Sequence, residues 1–302
     1  MSEVKVTVIC LAYNHEAWIR DALEGFLGQK TPWPFEVLVH DDASTDGTAA
    51  IIREYESRRP DVIRGFYAPQ NRTSQGIVIS RDVLFPYIRG EFVALCEGDD
   101  YWCSPDKLRR QVEALEEHPE ADICAHAARR VRPDGKVIYD APYHRDCVIP
   151  AEEVILGGGG YVATASLLCR RGAYMLATPM RDVLYSDYAL QIQGALRGGM
   201  VYVKDCMAVY RQGLPGSWTR QHHGAAHVQY RVLIRKMLRA LDEYTGGKHS
   251  AAIARRIRLY DSDDMAYGGR FLKMLSPREI PVTAAQIRRN LHKLRMNVLY
   301  RL

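Results

Sequence analysis

The sequence lacks the features that define several large classes of protein. No apolar run approaches the roughly 18 to 20 residues that span a bilayer, and no basic segment followed by an apolar one opens the chain. The seven cysteines are scattered and form no C-x-x-C pair, so neither a disulfide framework nor a zinc site is expected. Repeats and low-complexity tracts are also missing. We therefore expect a globular cytoplasmic protein, at most peripheral at the inner face of the cell membrane.

The charge is distributed unevenly along the chain. Of its 302 residues, 47% are hydrophobic and 25% are charged, as in ordinary globular proteins, and the formal net charge is +5. Residues 222–302 carry 16 Lys and Arg against 6 Asp and Glu, a balance of +10, whereas the remainder carries 25 against 30, or −5. We expect one large domain over residues 1–220 and a basic helical region over residues 221–302.

Strand and helix patterns alternate through the first hundred residues. Short apolar runs such as "VKVTVICLAY", "FEVLVHDD" and "EFVALCEGDD" predict buried strands, and the segments between them have helical periodicity. Buried strands separated by helices indicate an α/β fold with a mostly parallel central sheet flanked by helices. Further along, "VATASLLCRR" and "MVYVKDCMAVYR" predict strands, and "SDYALQIQGALRGG" predicts a helix.

Acidic residues follow two of the predicted strands. Asp41 and Asp42 end the second strand, and Glu97, Asp99 and Asp100 end the fourth. Ligands bind at the carboxyl ends of strands in open α/β sheets, and carboxylates this dense repel one another unless a cation or a set of donors compensates them. Hard oxygen ligands suit Mg²⁺ or Mn²⁺. The alternative is a solvated turn that leads into a capped helix.

Five segments in register resemble family 2 glycosyltransferases of the Rossmann-like GT-A fold, in particular the bacterial branch with an "EGDDYW" version of the DxD motif. They are "VTVICLAYNHEAWIRDALEGFLGQ", "VLVHDDASTDGT", "GEFVALCEGDDYWCSPDKL", "SDYALQIQGALRGGMVYVKDCMAVYR" and "GSW", and together they cover roughly residues 4–220. The resemblance implies an inverting transferase that requires Mn²⁺ or Mg²⁺. Its donor would be a nucleotide sugar, UDP-linked, and its acceptor a hydroxyl of a glycan or polyprenyl-linked molecule in bacterial surface polysaccharide synthesis.

The resemblance also assigns the donor and metal contacts. Asp42 matches the acid that accepts the uracil N–H, a bond that suits an ionised carboxylate, and Asp41 is expected to stabilise a turn or cap a helix. Asp99 is the first choice of metal ligand and Asp100 the second. Packing is the alternative role for Tyr13, and a surface position is the alternative for Arg81. The expected nucleotide-sugar contacts are Ala12, Tyr13, Asn14, Asp42, Arg81, Glu97, Gly98 and Arg211.

Asp187 is the catalytic base implied by the family match. A carboxylate there would take the proton of the acceptor hydroxyl, although capping a helix is an alternative role that Ser186 fills equally well. The family's "YRxH" element is incomplete here, since Gly213 stands in place of its histidine, and the pair His222–His223 is a replacement that we do not favour. The residues expected to contact the acceptor are Thr164, Ser166 and Trp218.

Two other functions fit parts of the pattern. A nucleotidyltransferase also combines an α/β sheet with acids and a metal, but the chain lacks a glycine-rich basic loop after the first strand. A noncatalytic protein that binds nucleotide sugars is the second alternative, and the joint presence of Asp42, Asp99 and Asp187 argues against it. Nucleic-acid binding is not expected, because no aromatic stacking platform or known motif accompanies the basic region.

The basic C-terminal region contains two apolar stripes at helical spacing. Basic amphipathic helices of this kind bind anionic membrane surfaces, or they pack on the same protein or on a second copy in a homo-oligomer. The first stripe comprises Val232, Leu233, Met237, Leu238 and Leu241, and the second comprises Ile287, Leu291, Leu294, Val298 and Leu299.

Overall fold

The computed structural model describes residues 3–214, 217 and 225–267. Three predictions lie outside these residues: the acceptor contact Trp218, the pair His222–His223 and the second apolar stripe of the basic region. Within the described part of the chain, no helix is both long enough and apolar enough to cross a membrane.

One sheet forms the centre of the described chain. Its strands are β1 (Val6–Ala12), β2 (Phe35–Asp41), β3 (Ile63–Tyr67), β4 (Phe92–Leu95), β5 (Tyr101–Trp102), β6 (Ile123–Val131), β7 (Val137–Asp140), β8 (Cys147–Ile149), β9 (Leu168–Arg170) and β10 (Met200–Arg211). Their order is β3-β2-β1-β4-β9-β6-β10-β5, with β7 beside β6 and β8 beside β10.

The sheet is parallel in one half and mixed in the other. The strands β3, β2, β1 and β4 are all parallel, as the sequence predicted. Beyond them, β9 runs antiparallel to both β4 and β6, whereas β6 and β10 are parallel. The predicted strand "VATASLLCRR" is also shorter than expected, because Thr164–Ser166 forms a 3-10 turn and the extended part is Leu168–Arg170.

The helix predicted at "SDYALQIQGALRGG" is present as Asp187–Ala195. The segment Ile79–Leu84 is a π-helix, and a 3-10 turn at Phe85–Tyr87 follows it. The α-helices are α1 (Ile19–Leu27), α2 (Thr48–Arg58), α3 (Lys107–Glu117), α4 (Ala151–Gly157), α5 (Arg171–Met175), α6 (Pro179–Val183), α7 (Asp187–Ala195), α8 (Ala225–Tyr244) and α9 (Ser250–Tyr267).

The core consists of two apolar clusters, one on each face of the sheet. Neighbouring strand residues point to opposite faces, so Val8 belongs to one cluster and Ile9 to the other. Phe26 of α1 and Leu108 of α3 pack in the first cluster, and Ile192 of α7 packs in the second. Helices therefore cover both faces, and the carboxyl ends of the parallel strands remain at the edge of the sheet.

The described part of the basic region packs on the large domain. Helix α8 lies against α6, and α9 lies against α4. In α8, Met237, Leu238 and Leu241 are fully buried, whereas Val232 and Leu233 of the same predicted stripe are 45% and 40% exposed. One half of the stripe therefore joins the core, and the other half lies at the surface.

Candidate active site

The carboxyl ends of β1, β2 and β4 meet at one edge of the sheet. Strand β1 lies between the other two, all three run in the same direction, and the register pairs Ala12 with Asp41. The Ala12 carbonyl also accepts the N–H of Asp42 over 2.9 Å. The loops that follow these strands therefore lie side by side, at the edge where α/β sheets bind ligands.

Side-chain hydrogen bonds join the first two of these loops. Asn14 has a left-handed backbone with a φ of 56°, which asparagine adopts more readily than most residues. Its Oδ1 accepts the N–H of Thr45 over 2.8 Å, and its own N–H donates to Ser44 Oγ over 2.9 Å. Asn14 is thus engaged in shaping the loops, whereas the neighbouring Tyr13 is 43% exposed and accessible to a ligand.

The carboxylates of Asp41 and Asp42 both accept backbone N–H groups. The two carboxylate oxygens of Asp42 accept backbone N–H groups, from Arg72 over 2.8 Å and from Thr73 over 3.0 Å. Asp41 Oδ2 accepts the N–H of Ser44 over 3.2 Å, and its Oδ1 is buried with no hydrogen-bond partner among the described residues. Asp42 therefore holds a loop, and its contact with the base stays a prediction, whereas Asp41 has one oxygen without a partner among the described residues.

The loop after β4 holds the acidic cluster. Burial raises the pKa of Glu97 to about 8, and the charges of Asp99 and Asp187 add to the effect. Burial also raises the pKa of Asp100 well above its usual range, although Asp100 Oδ1 accepts the backbone N–H of Arg211 over 2.8 Å. Asp99 is more accessible, with 16% of its side chain exposed. Of the two candidate metal ligands, the geometry favours Asp99.

The carboxylate oxygens of this loop fit a divalent cation that binds together with the phosphates of the substrate. No three His, Cys, Asp or Glu side chains converge as a complete metal site in the part of the chain that the structure describes. Mg²⁺ is usually held by one or two carboxylates together with substrate phosphates and water. Asp99 supplies one accessible carboxylate, and Glu97 lies close enough for their charges to interact. The residues present therefore fit such an ion.

Gly98 allows the acidic loop to pack tightly against the loop after β1. A Cβ at this position would lie 2.8 Å from Ile19 Cδ1 and 2.9 Å from His15 Nδ1, closer than side chains tolerate. The N–H of Gly98 donates to the Leu11 carbonyl over 2.9 Å. The structure thus gives Gly98 a packing role, and its contact with the donor stays a prediction.

Arg211 braces the acidic loop from the end of β10. Its Nη1 donates to the Asp99 carbonyl over 3.0 Å, its Nη2 pairs with Asp21 of α1, and its guanidinium lies 4.5 Å from the centroid of the Tyr101 ring. The guanidinium thus connects the acidic loop to α1, and its contact with the donor stays a prediction.

Arg81 lies at the surface, on the π-helix. Its Nε donates to Asp82 Oδ1 over 2.7 Å, and its guanidinium lies 5.5 Å from the centroid of the Tyr185 ring. Tyr185 is two residues before Asp187, so Arg81 is near the start of α7. These contacts match the surface position that the sequence left as an alternative, and the nucleotide contact stays a prediction.

Asp187 begins α7, but its neighbour caps the helix. Ser186 Oγ accepts the N–H of Ala189 over 3.2 Å, so the capping role belongs to Ser186. Asp187 Oδ2 accepts the hydroxyl of Thr164 over 2.8 Å, and Asp187 Oδ1 accepts the N–H of Tyr188 over 2.7 Å. Burial raises the pKa of Asp187, and these two hydrogen bonds lower it. The arrangement holds a buried carboxylate in one orientation, as a proton acceptor requires.

Ser166, a predicted acceptor contact, lies in the core of the structure. Its side chain is fully buried, and its hydroxyl donates to the carbonyl of Ala163 over 2.6 Å within the 3-10 turn. Successive residues of such a turn are about 120° apart around its axis. Thr164 therefore points toward Asp187, while Ser166 points into the core. A sequence read as an extended strand would place the two on the same face.

Trp102 and Lys107 support the acidic loop from the core. The indole of Trp102 is buried, and its Nε1 donates to the Ala165 carbonyl over 3.0 Å. Lys107 is fully buried, with its Nζ 4.0 Å from the centroid of that indole and 2.7 Å from Gln111 Oε1. Burial lowers the pKa of Lys107 to about 7. Trp102 is therefore a packing residue beneath the site.

A cavity of about 410 Å³ opens at the carboxyl ends of β2 and β3. It is not the centre of the acidic site, because neither the acidic loop nor Asp187 lines it. It borders the site through Arg72, whose N–H binds Asp42. Its lining residues are His40, Phe66, Tyr67, Ala68, Arg72, Asp82, Val83, Pro86 and Tyr87.

Known proteins resemble this chain in sequence. The family model described as glycosyl transferase family 2 matches residues 7–147. An uncharacterized protein of Mycobacterium tuberculosis is 36% identical over 216 residues, which are 70% of this chain and 60% of that protein. EpsE of Bacillus subtilis, a protein named as a glycosyltransferase, is 28% identical over 182 residues, 59% of this chain and 61% of its own length. The chain thus spans about 60% of the length of these relatives.

Solved structures share the fold. TarS of S. aureus, in complex with UDP-GlcNAc, superposes with a TM-score of 0.66 at 17% identity, over 92% of this chain and 78% of that chain. The mannosyltransferase PcManGT of Pyrobaculum calidifontis, in complex with GDP-Man and Mn²⁺, gives a TM-score of 0.55 at 17% identity, over 94% and 80%. The sequence matches, together with a sheet edge that carries acids after β2 and β4, lead to one conclusion. Residues 7–147 match glycosyl transferase family 2, and the chain shares the GT-A fold of these structures.

Proposed function

We propose that this chain transfers a sugar, with inversion, from a UDP-sugar to a hydroxyl of a glycan or lipid-linked acceptor in bacterial surface polysaccharide synthesis. The observation that carries the proposal is the convergence of Asp187 with the acidic loop. Ser186 caps α7 in place of Asp187, and the charge of Asp187 adds to the rise in the pKa of Glu97 that burial causes. A proton acceptor and a cation-binding carboxylate thus belong to one site.

Glycosyl transfer develops charge on the leaving diphosphate and on the acceptor hydroxyl. A divalent metal, when bound, supplies Lewis-acid stabilisation of the diphosphate. Asp99 would hold that ion, with Glu97 beside it and the substrate phosphates completing its ligands. Asp100 would stay turned toward the N–H of Arg211, where it orients the loop. The complex of PcManGT with GDP-Man and Mn²⁺ supports the cation, and Mg²⁺ is its chemical alternative.

Asp187 would take the proton of the acceptor hydroxyl. Inversion requires the proton acceptor to act on the face of the sugar opposite the leaving group, as in inverting glycoside hydrolysis. The hydroxyl of Thr164 stabilises the ionised form of Asp187 by donating to Oδ2. The hydrogen bond to Tyr188 N–H fixes the other oxygen. These hydrogen bonds therefore orient the carboxylate and favour its ionised form when an acceptor arrives.

The donor would bind over the ends of β1 and β2. Tyr13 offers an exposed aromatic ring, and Asp41 Oδ1 is the unsatisfied acceptor to which we assign the base N–H. Asp42 would act indirectly by holding the loop that begins at Arg72. The complex of TarS with UDP-GlcNAc supports a UDP-sugar, whereas the GDP-Man complex of PcManGT keeps GDP as the alternative.

The acceptor would be presented at an anionic membrane surface. On α8, Val232 and Leu233 are exposed on the same side as Lys236 and Arg239, which follow at helical spacing and are also exposed. Apolar and basic residues on one helical face suit the surface of an anionic bilayer. Each cation near such a surface contributes about 1 kcal/mol to binding.

The metal is tested by the substitution Asp99→Asn. We expect UDP to bind more tightly with Mn²⁺ than with EDTA, and we expect the variant to lose most of that gain because it removes the accessible carboxylate. Calorimetry of UDP binding under both conditions measures it. The matched control is Asp106→Asn, at an exposed acid just beyond the loop, which should keep the gain. Equal affinities of the wild type in Mn²⁺ and EDTA would contradict the proposal.

The base is tested by Asp187→Asn. This variant should bind UDP and Mn²⁺ as the wild type does and lose transfer by about a hundredfold to ten-thousandfold, the usual effect of removing a general base. Turnover of a UDP-sugar with an identified acceptor gives the rate, and NMR of the product gives the anomeric configuration. Turnover within a few-fold of the wild type, or retention of configuration, would exclude this role and this mechanism respectively.

The hydrogen bond from Thr164 is tested by pH. Thr164→Val removes a donor that favours ionised Asp187, so the pKa of Asp187 should rise. One hydrogen bond to a charged group contributes about 1.5 to 3 kcal/mol, which corresponds to a rise of about 1 to 2 pH units. The acidic limb of the rate profile should shift to higher pH by that amount. Ser166→Ala, in the same turn, should leave the profile unchanged, and an unshifted profile for Thr164→Val would argue against the assignment.

The membrane contact is tested by sedimentation with anionic vesicles. The full chain should sediment with them at low salt and dissociate as the salt concentration rises. The double variant Val232→Ser, Leu233→Ser should bind less. Val137→Ser, at an apolar residue of β7 that is 51% exposed, is the matched control. Absence of the full chain from the pellet at low salt would show that α8 serves packing instead.

A further inference from the structure

His15 lies between the loop after β1 and the acidic loop, and its backbone is held on both sides. Its N–H donates to Thr48 Oγ1 over 2.8 Å, and its carbonyl accepts the N–H groups of Trp18 and Ile19 over 2.9 and 2.8 Å. The residue therefore connects the start of α2 to the start of α1. A backbone fixed in this way limits where the imidazole can go.

The imidazole of His15 is also confined by its neighbours. The Trp18 ring meets it edge to face, with centroids 6.1 Å apart at an interplanar angle of 68°. On another side, Gly98 approaches so closely that a Cβ there would lie 2.9 Å from Nδ1. The side chain of His15 is 17% exposed, and its Nε2 lies 4.0 Å from Asp99 Oδ2. Nε2 is thus directed at the carboxylate to which we assign the metal.

The surroundings of the two ring nitrogens indicate the tautomer. Nδ1 is buried and has no hydrogen-bond partner among the described residues. A neutral imidazole has one N–H donor and one acceptor nitrogen. Burial of an unpaired N–H costs about 1 to 3 kcal/mol, whereas a proton on Nε2 faces the negative charge of Asp99. The proton is therefore assigned to Nε2.

We propose that His15 is a positioning residue for Asp99, whose Nε2–H orients the Asp99 carboxylate for the divalent metal. This inference rests on the proposed function. Direct ligation of the metal by Nε2 is the competing role, but a metal-bound histidine almost always donates its other N–H to an acceptor. Within the described residues, Nδ1 has no such acceptor. The geometry therefore favours a role through Asp99.

Substitutions that mimic one ring nitrogen at a time test the proposal. In His15→Gln the side-chain amide can place an N–H near the position of Nε2, whereas in His15→Asn it reaches only the position of Nδ1. We expect the Mn²⁺-dependent gain in UDP affinity to stay within about threefold in His15→Gln. It should fall by about tenfold to a hundredfold in His15→Asn and His15→Leu, as when outer-shell partners of a metal are lost. UDP affinity in EDTA should be unchanged in all three variants.

Two controls separate this role from a structural one. His118→Leu removes an exposed imidazole that lies 3.0 Å from Glu120, and it should keep the full Mn²⁺ gain. Loss of UDP affinity in EDTA and in Mn²⁺ to the same extent, without rescue by His15→Gln, would overturn the proposal in favour of packing. Nitrogen coupling in the electron spin echo of Mn²⁺ with UDP that disappears in His15→Leu would overturn it in favour of direct ligation.

The same measurements separate a failure of the role of His15 from a failure of the proposed function. A wild-type gain with Mn²⁺ that His15→Leu leaves intact would overturn the role of His15 alone. A wild type without any Mn²⁺ gain would overturn metal dependence, and the role of His15 with it.

Discussion

The repulsion among carboxylates at the edge of the sheet is the constraint on which the rest of the site depends. Burial raises the pKa of Glu97, Asp100 and Asp187, and neighbouring carboxylates add to the effect at Glu97, where the pKa is about 8, and at Asp100. A glutamate with a raised pKa in the folded state favours folding below its ordinary pKa of 4.5. That contribution is lost as the pH rises toward 8. A bound cation would stabilise the ionised carboxylates, so the stability of the fold would depend on ligand binding.

The protein manages this charge with contacts that serve each acid separately. Asp100 receives the N–H of Arg211, and Asp187 receives the hydroxyl of Thr164. The guanidinium of Arg211 binds the Asp99 carbonyl rather than its carboxylate, so the more accessible of the two candidate metal ligands keeps its oxygens available. Because burial lowers the pKa of Lys107 beneath the loop to about 7, its positive charge is only partial near neutral pH. The charge therefore remains incompletely compensated where a cation would bind.

The loops at the strand ends are held by the same polar residues that the family resemblance assigns to the donor. Asn14 binds the backbone of Thr45, and Asp42 binds that of Arg72 and Thr73. Buried polar groups need such partners, and short polar side chains near turns are suited to supply them. Substituting these residues would disturb the shape of the site as well as any contact with a ligand. Asp41, with one unsatisfied oxygen, is different in this respect.

Much of this architecture follows from the sequence alone. The alternation of apolar strands with amphipathic helices predicts the α/β fold, and the acids after two strands locate the site, because local periodicity and charge density are properties of short segments. Contacts between residues far apart in the sequence are visible only in the tertiary structure. The turn at Thr164–Ser166 sends one hydroxyl to Asp187 and buries the other. The proximity of His15 to Asp99 spans 84 positions and depends on Gly98. Tertiary contacts decide which carboxylate oxygen has a partner, which residue caps α7 and which half of the α8 stripe is buried. A residue pattern does not encode these contacts.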